Sequence, residues 1–108
     1  MVLSMQESIV LFEGQQTVFC IANPIDHIQG HHAHGTFYEH AQLIAHRDLI
    51  PIGSTVVDVG ANVGNHALFY STHTYARQVY VFEPNPAAQA LLGRNIAANK
   101  NRRGAIRT

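Results

Sequence analysis

The chain holds one cysteine, Cys20, among 108 residues, so no internal disulfide can form and a Cys-based zinc module is excluded. No run approaches the roughly 18 apolar residues that a membrane span requires, and no membrane partner is expected. The opening Met1-Val2-Leu3-Ser4-Met5-Gln6-Glu7 has neither the basic nor the apolar region of a secretory signal, which makes the cytoplasm the expected location. Charge is sparse and balanced: 13% of residues are charged, with seven Lys or Arg against seven Asp or Glu. A hydrophobic content of 46% excludes a disordered chain and suits a single globular domain. No acid follows Glu83, while Arg94, Lys100, Arg102, Arg103 and Arg107 gather towards the end. A basic run this short reads as solvated surface, and no nucleic-acid partner is expected.

Two β-branched, apolar stretches flank a Gly-containing loop: Ile9 to Phe12, then Glu13 to Gln16, then Thr17 to Ala22. That pattern predicts a β-hairpin, closed by Asn23-Pro24 because proline cannot donate to a strand ladder. Asp26 to Gly35 is polar and rich in histidine, and we read it as a loop. From Thr36 the spacing of Phe37, Ala41, Ile44, Ala45 and Leu49 predicts an amphipathic helix, with Thr36 and Glu39 as a capping box, ended by Pro51-Ile52-Gly53. Thr55 to Val59 and Val79 to Phe82 read as short buried strands, each followed by a helix. The first helix begins near His66; the second has Asn85 as N-cap and Pro86 in its first turn, and runs to about Asn99. Strand, glycine turn, helix, strand and helix form a βαβ unit, whose strands are expected to be parallel. No third strand is recognisable in Asn101 to Thr108.

Ligands of open α/β sheets bind at the carboxyl ends of the strands. Here those ends read Asp58-Val59-Gly60-Ala61-Asn62-Val63-Gly64 and Glu83. Glycines let backbone approach a ligand, amides at a helix start favour anions, and an acid after the second strand can accept both hydroxyls of a ribose. The dinucleotide fingerprint Gly-x-Gly-x-x-Gly is broken by Asn62 at its middle glycine. Each residue also has a plain structural role: Gly60 and Gly64 in a tight turn, Asp58 and Asn85 on local amides, Glu39 in its capping box, His66, Tyr38, Phe69 and Tyr70 in packing. The His-rich segment offers imidazoles to a metal, but no second ligand motif fixes a coordination number, so no metal site is assigned.

Read as Gly-x-x-x-Gly preceded by an acid, the turn resembles the first motif of class I S-adenosylmethionine-dependent methyltransferases. Together, Val56 to Asn65 and Val79 to Pro86 resemble the FkbM-type methyltransferase family. Phe37-Tyr38-Glu39 and the hairpin with Asn23-Pro24 are similar to its lead-in. The resemblance implies an α/β fold: an N-terminal β-hairpin and helix, then the first half of a Rossmann-like domain. Residues 1–35 would form the lead-in and 36–108 a partial S-adenosylmethionine-binding domain. It further implies methyl transfer from S-adenosylmethionine to a hydroxyl of a sugar or small molecule, with Asp58, Gly60, Ala61, Asn62, Gly64, Asn65, Glu83, Pro84, Asn85 and Glu39 at the cofactor. The family's domain is about twice this length, so an N-terminal portion without turnover of its own is expected, with sheet edges open to self-association. The alternatives are an NAD-type oxidoreductase half-domain and a non-enzymatic His-rich metal-binding or interaction module.

Overall fold

The computed structural model describes residues 6–108, and the start of the sequence, Met1 to Met5, lies outside the described residues. The first elements are β1 (Gln6–Phe12) and β2 (Gln15–Ile21), an antiparallel pair in register from Gln6 opposite Ile21 to Phe12 opposite Gln15. The connection is shorter than the sequence pattern predicts. Only Glu13 and Gly14 turn, both at positive φ (49° and 77°), as a two-residue hairpin requires, and Gln15 and Gln16 belong to the strand.

Two expectations fail in the next segment. The His-rich stretch is a helix, α1 (His27–Ala33), whose Asp26 side chain accepts the Ile28 and Gln29 amides at 3.1 and 3.0 Å. That cap, and His32 burying its ring in the core, outweigh the polar composition. The capping box is also absent. Helix α2 (His40–Arg47) starts four residues after Thr36, its N-cap Glu39 sits in the left-handed region (φ 55°, ψ 42°), and no side chain caps it. Thr36 Oγ1 instead donates to His31 O, closing α1. Of the expected apolar face, Phe37 is buried ahead of the helix, Leu43 anchors it, and Ala41, Ala45 and Leu49 are exposed.

The remaining elements are β3 (Thr55–Val59), α3 (Asn65–His73), β4 (Gln78–Phe82), α4 (Pro86–Ala98) and β5 (Ala105–Arg107). The strands form a parallel sheet in the order β3-β4-β5, Thr55 opposite Gln78 and Gln78 opposite Ala105. The strand β5 corrects the sequence reading, which found none there. It is only three residues long and is set by backbone bonds, Gly104 N–H to Ser71 O at 2.9 Å and Ala105 N–H to Arg77 O at 3.1 Å, that leave no hydrophobic pattern. The architecture is α/β with one antiparallel hairpin and one parallel sheet. Among the described residues no helix is long and apolar enough to cross a membrane.

Two adjoining cores hold these layers. Phe19, Phe37, Leu43, Leu68 and Phe69 fill the space between hairpin, α2 and α3; Ala67, Val79, Val81 and Leu92 lie between the sheet and its helices. Fully burying a side chain of this size contributes about 1.5–3 kcal/mol. The hairpin is also tied to α4 by polar side chains. The outer edge of β2 would leave amides unpaired, but Asn95 Oδ1 accepts the Cys20 N–H and Asn99 Oδ1 the Val18 N–H, both at 2.7 Å. Asn95 Nδ2 also donates to Val63 O at 2.7 Å, reaching into the turn that follows β3.

Candidate functional site

The carboxyl ends of β3 and β4 lie side by side, and the turn after β3 folds across the end of β4. Gly60 and Ala61 N–H both donate to Phe82 O, at 2.8 and 3.1 Å. Keeping the turn this tight needs positive φ at Gly60 (78°), Asn62 (51°) and Gly64 (98°). Asparagine tolerates that region better than most side chains, which accounts for its presence between the two glycines. The two glycines differ in their surroundings. A Cβ on Gly64 would stand 3.0 Å from Leu92 Cδ1, so this glycine lets α3 and α4 pack; a Cβ on Gly60 would meet nothing within 4 Å. Of these two glycines, Gly60 is the one that borders open space.

Glu83 follows β4 directly. Its Oε1 accepts the Asn62 N–H at 2.7 Å and its Oε2 the Asn85 N–H at 3.0 Å, so one carboxylate joins the two loops. Asn85 Oδ1 is spent on the Ala87 and Ala88 amides as the cap of α4, and Gln89 Nε2 donates to Glu83 O. Clefts open on both sides of Glu83. One, of about 550 Å³, is bounded by Val81, Phe82, Pro84 and Leu92 and is apolar; the other, of about 470 Å³, lies between Asn62, Asn85, Arg94 and Asp26.

Asp58, at the end of β3, is half-buried, and its Oδ2 is shielded from solvent without a hydrogen-bond partner. Burial pushes its carboxyl above the usual carboxylate range; His66 nearby opposes this and Glu83 adds to it. Tyr70, one turn further along α3 than His66, is likewise pushed up by burial and by the charges of Asp58 and Glu39. Glu39, Asp58, His66 and Tyr70 thus share one end of the sheet, a grouping that sequence spacing did not show.

Asn65 supports this end from below. It is buried, with Oδ1 accepting the Tyr38 N–H at 2.9 Å and Nδ2 donating to Tyr38 O at 2.9 Å. A backbone amide only donates and a carbonyl only accepts, so Tyr38 fixes which end of the carboxamide is oxygen. The tautomers of two histidines follow. His32 Nε2, 2.7 Å from Asn65 Oδ1, carries a proton and donates; His66 Nδ1 accepts from Asn65 Nδ2 at 3.3 Å, which leaves Nε2, 3.7 Å from Glu39 Oε1, as the proton-bearing nitrogen of that ring.

Of the ten residues named from the sequence, the structure brings Asp58, Gly60, Asn62, Glu83, Pro84 and Asn85 to one rim. Ala61 is buried beneath it, Gly64 is a packing position, Asn65 has its polar atoms engaged internally, and Glu39 reaches the rim through His66. Sequence reasoning missed Asn95 and Asn99, and placed His32 in a polar loop where the structure buries it in the core. The signal for the two asparagines was their spacing, Asn95 in the last turns of α4 and Asn99 four residues on at its C-cap, which places two amide-binding groups on one side of the helix end. No protein-family model matches the chain, and a search of curated proteins finds no match either.

Proposed function

We propose that this chain binds S-adenosylmethionine in the manner of FkbM-type methyltransferases and serves O-methyl transfer to a hydroxyl of a sugar or another small molecule. The observation carrying this is the Glu83 carboxylate, fixed after β4 by the Asn62 and Asn85 amides, beside a turn whose Gly60 borders open space. The run β3-α3-β4-α4-β5 supports a Rossmann-like first half, with the site at the carboxyl ends of its strands.

The residues present fit the cofactor. Each Glu83 oxygen spends one lone pair on a backbone amide and keeps another for a ribose hydroxyl. The apolar cleft of Phe82, Pro84 and Leu92 suits a flat base, and half-buried Asp58 stands at the end of β3 beside the same rim. When bound, the cofactor supplies an electrophilic methyl group on sulfur. The chain's task is to hold that group in place: the Glu83 bonds and the Asn65 clasp keep both loops set before the ligand arrives, which lowers the ordering cost of binding.

Isothermal titration of the full chain with S-adenosylhomocysteine, and separately with NAD, tests this function. Saturable S-adenosylhomocysteine binding that Glu83→Gln weakens about tenfold or more, with no heat from NAD, is expected. Binding of NAD in its place would support a dinucleotide site and overturn the proposal.

A further inference from the structure

Four histidines lie between Asp26 and Gly35, and the proposed cofactor site uses none of them as a ligand. Because this stretch is a helix, its histidines are sorted by face. His32 turns inward, stacked on Phe19 with ring centroids 3.6 Å apart. His27 and His31 are four residues apart, so they stand on successive turns of one face. Both are exposed, and with His34 they line a single shallow cleft of about 370 Å³.

We propose that this face of α1 is a binding site for a divalent late transition-metal ion, with the imidazoles of His27 and His31 as its protein ligands. Two imidazoles sharing an ion at metal–nitrogen distances of about 2.0–2.1 Å have ring centroids roughly 5 Å apart. The His27 and His31 centroids already stand at 5.7 Å. Their positions are limited by a common wall, the Tyr38 ring, which meets His27 edge-on at 5.0 Å and His31 at 5.5 Å. Tyr38 is itself held through its backbone by Asn65, so the wall is anchored to α3 rather than free in solvent. Such restriction reduces the rotamer freedom lost when the ion binds.

The neighbours define the rest of the shell. Asp26 Oδ2 is committed to the cap of α1, and His34 Nδ1 stands 2.7 Å from Gly30 O. Among the described residues no three His, Cys, Asp or Glu groups form a ready-made cage, so two imidazoles hold the ion and water fills its other positions. Neutral imidazoles favour copper, nickel and zinc over magnesium or calcium.

Titration of the full chain with Zn²⁺, and with Ni²⁺ under backbone amide NMR, tests this proposal. One Zn²⁺ per chain is expected to bind saturably at micromolar concentration. Ni²⁺ should broaden first the amides around His27 and His31, and Mg²⁺ should change nothing. His27→Ala and His31→Ala alter exposed side chains and should keep a dispersed spectrum while weakening Zn²⁺ about tenfold or more. His46→Ala, an exposed histidine on α2, should leave affinity unchanged. The proposal is overturned if Zn²⁺ needs millimolar concentration, if affinity survives both α1 variants, or if His46→Ala weakens it equally.

Discussion

The side chain of Asn65 holds the backbone of Tyr38 from both directions, accepting its N–H and donating to its C=O at 2.9 Å each. One carboxamide thus joins the lead-in segment to the start of α3, next to the glycine turn. Asn65→Ala leaves the Tyr38 backbone and His32 Nε2 without partners in a buried setting, and is expected to cost about 2–4 kcal/mol. Urea unfolding measures this. Asn65→Asp keeps the accepting oxygen but turns a buried carboxylate oxygen towards Tyr38 O, so it should cost at least as much as alanine; a loss well below about 1 kcal/mol for either variant would contradict the assigned bonds.

Gly60 and Gly64 should respond differently to alanine. Both sit at positive φ, but only Gly64 has Leu92 Cδ1 at 3.0 Å from the added methyl. Gly60→Ala carries the backbone term alone, about 1–2 kcal/mol, and should chiefly weaken S-adenosylhomocysteine. Gly64→Ala adds overpacking and should lower the urea midpoint further. Thermal unfolding and ligand titration on the two variants separate these effects.

Acid should destabilise the fold before its carboxylates protonate. Burial lowers His32 and His73 from 6.5 to about 4. Between these values the unfolded chain binds protons that the folded chain refuses, so stability falls as pH drops from 6.5 towards 4 and gains nothing more from these groups below that. For the fully buried His32 the loss amounts to about 3 kcal/mol. His73 Nε2 has no partner, and its ring lies among Phe12, Phe37 and Phe69. His73→Leu should therefore flatten the acid slope without loss at pH 7. Urea midpoints from pH 4 to 7 provide the check.

Asp58 shows the opposite sign. Its raised carboxyl makes the folded chain bind a proton more readily than the unfolded one, so its ionisation disfavours folding as pH rises through the folded value. Asp58→Asn should raise the urea midpoint at pH 7 while weakening S-adenosylhomocysteine. A variant both less stable and unaffected in binding would show that the carboxylate is a structural group.

The elements of the parallel half were readable because their determinants are local, although β3 is an edge strand that leaves Val57 and Val59 exposed and is not the buried strand expected. Val56, Val79 and Val81 lie in short apolar runs, Asn85-Pro86 marks a helix start, and the glycines mark the turn between β3 and α3. The rim residues Asp58, Gly60 and Glu83 followed from strand ends alone. The helix α2 was readable, but the segment from Asp26 to Glu39 was misread because distant partners decide it: His32 is drawn inward by Phe19 and Asn65, and Glu39 takes a left-handed backbone beside the clasped Tyr38. The short β5 was hidden for a related reason, since backbone bonds to Ser71 and Arg77 select it. The Glu39–His66 contact joins residues 27 positions apart in sequence and could not be seen from spacing.

The most direct test follows the backbone amides of the isotopically labelled chain while S-adenosylhomocysteine is added. The account expects saturable shifts centred on Gly60, Asn62, Glu83 and Asn85, with the amides of β1 and the hairpin turn unmoved. A dispersed spectrum that stays silent at millimolar ligand, or shifts centred away from the ends of β3 and β4, would contradict it.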